Sequence, residues 1–205
     1  TGAIFYNKLI NKIVKLSHIK KDEDFPYIQL INYPFKCLSH KGVEDENILE
    51  IELENCFSKV NDCDIVFVLC FSFHRILKKL SLTNFKGKII FLNDIKSVKN
   101  SLILCSESSK NSQLFGIKGK YIEDANYDKL NNLIKQIIFG KTKSKKFDNF
   151  LKKYLKTNKC KKVFLGCTEL FCYNFTKSIN IINPEKELIK ICLKEIKNEI
   201  LSRKS

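Results

Sequence analysis

The run DIVFVLC, residues 64–70, carries six consecutive apolar residues and passes directly into FSFH at 71–74. An unbroken apolar run of this length has no polar face to turn toward water, so it reads as a strand buried on both sides, the pattern of a parallel sheet. A second run, KVFLGC at 162–167, behaves in the same way and passes into TEL at 168–170. Around these two strands, helical and extended patterns alternate.

Residues 3–16 place Phe5, Leu9, Ile13 and Leu16 at helical spacing, and YIQLIN at 27–32 reads as a short strand. A second amphipathic helix spans 44–60. A helix is expected near 73–80, with strands at 88–93 and 101–105. Residues 126–139 and 146–157 read as helices and NIIN at 180–183 as a short strand; Pro184 opens a last helix reaching about residue 203. Strand and helix in alternation give an α/β fold of two similar lobes. Each lobe is a parallel sheet flanked by helices, with the active-site cleft between them. The first lobe is expected to hold residues 1–93 plus 180–205, and the second residues 94–179.

Composition narrows the class. A chain of 205 residues that is 44% hydrophobic and 29% charged has the makings of a real core and is not a disordered polymer. No window approaches the roughly 18 apolar residues of a membrane span. The chain begins at Thr1, has no methionine and shows no basic-then-apolar leader, so residue 1 is read as an artificial beginning.

The net charge of +15 invites a nucleic-acid reading, but only Arg75 and Arg203 are arginines, and the lysines read as solvated helix faces and loop ends. Neither nucleic acid nor membrane is expected as a partner. Nine cysteines, an odd number without a Cys-x-x-Cys pair, and three histidines (His18, His40, His74) lacking zinc-ligand spacing predict a reduced cytoplasmic protein with no metal. Most of the cysteines, Cys56, Cys63 and Cys192 among them, read as small core residues, and so do Cys37 and Cys172.

Cys70 and Cys167 differ. Each ends a buried strand and precedes a helix start, with a hydroxyl and a titratable residue close behind. A helix N-terminus favours thiolate, so such a cysteine is expected to have a lowered pKa and to serve as base or nucleophile. Singly, each reads first as the last core residue of its strand. Together, about 100 residues apart, they suggest two lobes presenting cysteines to one cleft.

The residues around them resemble the cofactor-independent aspartate/glutamate racemase family, which has Cys-Asn-Thr followed two residues later by His in its first lobe and Gly-Cys-Thr-Glu in its second. Gly166-Cys167-Thr168-Glu169 matches the second motif fully. Cys70 and His74 match the ends of the first, with Ser72 in place of Thr. AIFYNKLI, QIIFGK and INPEKELI extend the likeness over most of the chain.

The resemblance implies racemisation of aspartate or glutamate without a cofactor. Cys70 and Cys167 would be the two opposed bases, one a thiolate that takes the α-proton and the other a thiol that returns one to the opposite face. It further implies Ser72 and Thr168 as carboxylate ligands, Ser106 and Ser109 in a substrate loop, Lys36 as a substrate charge, and a homodimer. Glu169 would anchor its loop through backbone N–H groups. His74 either orients or protonates near Cys70, or caps a helix.

The chain also departs from the family pattern. Phe71 stands where the family has Asn and Phe73 where a small residue is usual, and phenylalanine cannot hydrogen-bond a carboxylate. Residues 32–37, NYPFKC, replace an Asp-Arg pair. Ser106-Glu107-Ser108-Ser109 lacks the glycine of a Thr-x-Gly-Thr loop, and the family's first strand and Gly-Gly loop have no counterpart before the first helix. The alternative expectation is therefore a non-catalytic relative that keeps the fold as a binding or regulatory protein.

Overall fold

A computed structural model describes residues 2–16, 19–80, 85–90, 101–114 and 120–202. Helix α1 (Gly2–Ile13) opens the chain, and its Phe5, Leu9 and Ile13 lie one turn apart on a single buried stripe. A small antiparallel hairpin follows, β1 (Leu38–Ser39) with β2 (Gly42–Val43). Helix α2 (Glu46–Phe57) starts at Asp45, whose carboxylate accepts the backbone N–H groups of Asn47 and Ile48.

Strand β3 (Ile65–Phe67) pairs in parallel with β4 (Lys88–Ile90), and α3 (Phe71–Leu77) lies between them in sequence. Phe67 and Leu69 pack on one side against α1 and against Leu188, Ile189 and Cys192 of the last helix. Val66, Val68 and Cys70 pack on the other side against Leu49, Leu53 and Phe57 of α2 and Phe73, Ile76 and Leu77 of α3. The apolar run at 65–70 thus packs against apolar side chains on both faces, although each of its residues stays only half-buried.

The second sheet holds β5 (Ser101–Leu104), β6 (Lys120–Tyr121), β7 (Lys162–Leu165) and β8 (Ile181–Ile182) in the order β6-β5-β7-β8, all parallel. Leu102, Leu104, Val163 and Leu165 meet α5 (Tyr127–Ile138) and α6 (Lys145–Thr157) in one core, while Ile103, Cys105 and Phe164 face the other way. Short α4 (Glu107–Asn111) follows β5, and α7 (Glu185–Ser202) returns to pack on α1. This is the expected α/β architecture of parallel sheets and flanking helices.

Several sequence expectations shift. Residues 27–32 form no strand, because among the described residues no neighbouring segment supplies the ladder of hydrogen bonds that makes one. Helix α3 begins at Phe71 rather than near 73, directly behind Cys70. The hairpin β1–β2, α4 and β6 are too short to show a period and were not foreseen. Residues 91–93 of the expected 88–93 strand, the lobe boundary at 93, His18 and residue 203 lie outside the described residues.

Candidate active site

Cys70 is the extended residue that caps the N-terminus of α3, and Cys167 does the same for a short 3-10 helix, Thr168–Cys172. The two strand ends converge. The charge of Glu169 acts on each thiol, and ionisation of Cys167 would also be opposed by a thiolate at Cys70, so the three groups share one locality. Cys167 donates its thiol proton to Glu169 Oε2 at 2.8 Å, and Thr168 Oγ1 donates to the same oxygen at 3.5 Å.

The expected lowering of thiol pKa is not what this locality produces. Burial among protein atoms, followed by the charge of Glu169, pushes the Cys70 thiol up to about 12. Hydrogen bonds from the Phe73 and Ser72 N–H groups and from the Ser72 hydroxyl oppose the rise without reversing it. Cys167 is raised well above its ordinary value, first by burial, then by the charge and hydrogen bond of Glu169. The Cys167 helix is only five residues of 3-10 turn, too short to set a sizeable dipole against these effects. Both cysteines rest as thiols, although each residue keeps part of its surface open.

Beside Cys70 lies a knot of serine hydroxyls. Ser72 Oγ is 3.2 Å from Ser106 Oγ and 3.0 Å from Ser109 Oγ, and Ser106 Oγ donates to Ser109 Oγ at 2.9 Å. Ser106 is also the N-cap of α4. The hairpin latches onto this knot: Val43 N donates to Ser108 Oγ at 3.0 Å, and Ser108 N to the Lys41 carbonyl at 3.1 Å. At Gly42, with φ of +102°, a β-carbon would collide with the hydroxyls of Ser106 and Ser108, so glycine is what lets the strand come this close.

Next to the serines is a cleft of about 380 Å³ lined by Glu46, Ser72, Arg75, Ser108, Ser109 and Asn111, among others. Arg75 and Glu46 form an ion pair at its wall. Neither Cys70 nor Cys167 lines this space; Ser72, two residues after Cys70 at the start of α3, connects the two regions by lining the cleft. Phe71 and Phe73 do not fill the cleft either. Phe71 belongs to the core of the second sheet, its ring 6.1 Å from Phe171, and Phe73 packs against Phe35 at 4.7 Å in the first.

The remaining candidates are placed as follows. His74 is buried, and its Nε2 lies 3.1 Å from the Val68 carbonyl; an oxygen that only accepts assigns the proton to Nε2. Burial pushes its pKa down to about 4, so at neutral pH it is an uncharged tether between β3 and α3. The exposed Lys36 contributes its backbone N–H, which donates to Glu52 at 2.9 Å and 3.1 Å, while its ammonium makes no hydrogen bond or ion pair among the described residues. The same carboxylate accepts the Cys37 thiol at 3.2 Å, so this loop is held by α2.

Sequence reading missed Arg75, Glu46, Ser108 and Asn111. Arg75 was open to detection: it stands one helical turn beyond Ser72, on the same face, in a chain with two arginines.

No protein-family model matches the chain, and no curated protein sequence matches it. Solved structures do. An aspartate racemase homologue from Pyrococcus horikoshii superposes with a TM-score of 0.64 at 15% identity, over 96% of this chain and 94% of its own. Picrophilus torridus aspartate racemase gives 0.62 at 16% identity, over 95% and 90%. The chain has the fold of these two proteins along nearly its whole length.

Proposed function

We propose that the chain is a cofactor-independent racemase of an acidic amino acid, a member of the aspartate/glutamate racemase family working through Cys70 and Cys167. The observation that carries this reading is the meeting of the two strand-end cysteines around one carboxylate, in a fold shared with an aspartate racemase.

Racemisation needs a base on one face of the α-carbon and an acid on the other, so one of the two thiols must first lose its proton. Glu169 Oε2, already accepting from Cys167 Sγ, is the acceptor at hand. Transfer along that hydrogen bond leaves a Cys167 thiolate to take the α-proton, and the Cys70 thiol returns one to the opposite face. Negative charge developing on the α-carboxylate would be met by the hydroxyls of Ser72 and Thr168 and by the backbone N–H groups at the starts of α3 and the 3-10 helix. Ser106 and Ser109 hold Ser72 in place. Arg75 offers the side-chain carboxylate of the substrate a partner in competition with Glu46.

The test is α-proton exchange in heavy water with L-aspartate and L-glutamate, followed by NMR for the wild type and for Cys70→Ser and Cys167→Ser. Exchange abolished by either substitution supports the reading. Exchange that survives both would remove it.

A second reading, a non-catalytic binding protein on the same fold, is favoured by one observation: Phe71 is packed into the second core, so the position gives a substrate carboxylate no ligand. Binding of aspartate without exchange by the wild type would select it.

A further inference from the structure

The positive charge of the chain is concentrated in one region. Residues 129–162 contain twelve lysines and a single acidic residue, Asp148, and so hold 11 of the 15 net positive charges. Asp148 is buried, accepting the Tyr173 hydroxyl at 3.0 Å, which withdraws it from the surface.

These residues build α5 and α6, both packed on the second sheet and joined by residues 139–144; Glu123 N, just ahead of α5, donates to the Tyr154 hydroxyl late in α6, so the two helices run back on each other. Lys129 Nζ sits 4.6 Å from the centre of the Phe150 ring at one end of the pair. At the other end the chain turns at Gly140, with φ of +84° and open space where a side chain would be. On α6 the buried residues Phe147, Leu151 and Tyr154 leave Lys145, Lys146, Lys152, Lys153 and Lys156 on the outer face.

Around the turn stand Lys135, Lys141, Lys143, Lys145 and Lys146, all exposed, and none is in an ion pair among the described residues. The segment that packs here, through Asn174 N to the Thr142 carbonyl and the Tyr173 hydroxyl to the Ser144 carbonyl, carries no acidic residue at 173–180. Set among these lysines are Ile138, 57% exposed, and Phe139, 75% exposed. Two large adjacent apolar side chains held in water at the tip of a basic hairpin need a reason, since a solvated lysine face is stable without them.

The geometry points to this hairpin tip as a docking surface for an anionic lipid bilayer, with Phe139 and Ile138 entering the headgroup boundary and the surrounding lysines neutralising lipid charge. Charge complementarity selects the lipid. Lysine acts on anionic lipid as a point charge, and its aliphatic stem tolerates the interface, whereas sequence-reading nucleic-acid surfaces rely on arginine forks, and this region has no arginine. The sequence reading that set membranes aside rested on the absence of a spanning helix, which this mode of attachment does not use.

Flotation of the full chain with vesicles tests it. Vesicles of phosphatidylcholine containing one third phosphatidylglycerol should carry the protein at low salt and release it at high salt, and pure phosphatidylcholine should leave it behind. Lys141→Gln with Lys143→Gln should weaken partitioning about thirtyfold, and Phe139→Ala about tenfold, with unchanged circular dichroism. These positions are exposed and outside the proposed catalytic site, so amino-acid exchange should be unaffected in either variant. Failure to float with anionic vesicles at low salt overturns the proposal, as does flotation that ignores Phe139→Ala. Salt-sensitive binding of duplex RNA or DNA without binding to vesicles would overturn it too, reassigning the surface to nucleic acid.

Discussion

Cys167 and Glu169, two residues apart on one short turn, are joined by a 2.8 Å hydrogen bond in which the thiol is the donor. The carboxylate that would receive the proton of this cysteine is the same one whose charge holds the proton on it. An acidic neighbour and a poised base are therefore in tension, and the balance is open to measurement.

Glu169→Gln removes the charge that raises both Cys167 and Cys70 while leaving a side chain of similar shape. Both thiols should move down toward their ordinary values. Alkylation by iodoacetamide at slightly alkaline pH, read by mass spectrometry at Cys70 and Cys167, should become several times faster. Amino-acid exchange should fall, since the proton acceptor is lost.

Phe71→Asn, the substitution that would restore the family's residue, should not restore a substrate ligand. Phe71 is a core residue stacked edge-on to Phe171 and to His74, so the change deletes a buried ring and leaves an amide with nothing to bond. A loss of about 3–5 kcal/mol in urea unfolding is expected. Against a typical total of roughly 5–15 kcal/mol, that leaves the protein marginal.

His74 gives acid lability a definite direction. Its pKa is about 4 in the folded chain against 6.5 when free, so the unfolded state binds the extra proton. The stability tied to a neutral His74 is fully present above about pH 6.5 and is lost as pH falls through about 4, by at most roughly 3 kcal/mol. His74→Gln can keep a donor for the Val68 carbonyl but cannot titrate. Denaturation of both proteins across this window should show the wild type losing more stability than the variant.

Gly42→Ala forces a left-handed backbone on alanine and drives its methyl into the hydroxyls of Ser106 and Ser108. A cost of about 1–2 kcal/mol is expected from the backbone alone, with more from the displaced serines. Loss of the Val43 N to Ser108 Oγ bond should appear as faster exchange of the Val43 amide proton.

How much of this was readable in the sequence depends on the range of the interaction involved. The apolar runs at 65–70 and 163–165 announced parallel strands because they leave no polar alternation, and parallel strands lie there, β7 buried beyond its exposed Lys162 and β3 only half-buried. The serines at 72, 106 and 109 were singled out from the family pattern, and the structure brings them within hydrogen-bonding distance of each other. The thiol protonation state differs from the expectation because it depends on Glu169 and on burial at the ends of both sheets rather than on a local helix start. Lys36 was read for its ammonium, and what it contributes is a backbone N–H. Arg75 escaped because its value lies in facing Ser72 and Glu46 across a cleft that no local pattern records.

The two cysteines are mounted on unequal supports. Every residue of β5 is fully buried and so are the last three of β7, whereas residues 65–70 around β3 are only half-buried in a sheet that has two strands among the described residues. Amide hydrogens in β5 and β7 should therefore exchange only with global opening, and those of β3 through smaller fluctuations of lower free energy. Cys167 then marks a fixed wall and Cys70 a compliant one, so that in the proposed racemase the gap between the sulfurs would adapt to an α-carbon by yielding on one side alone.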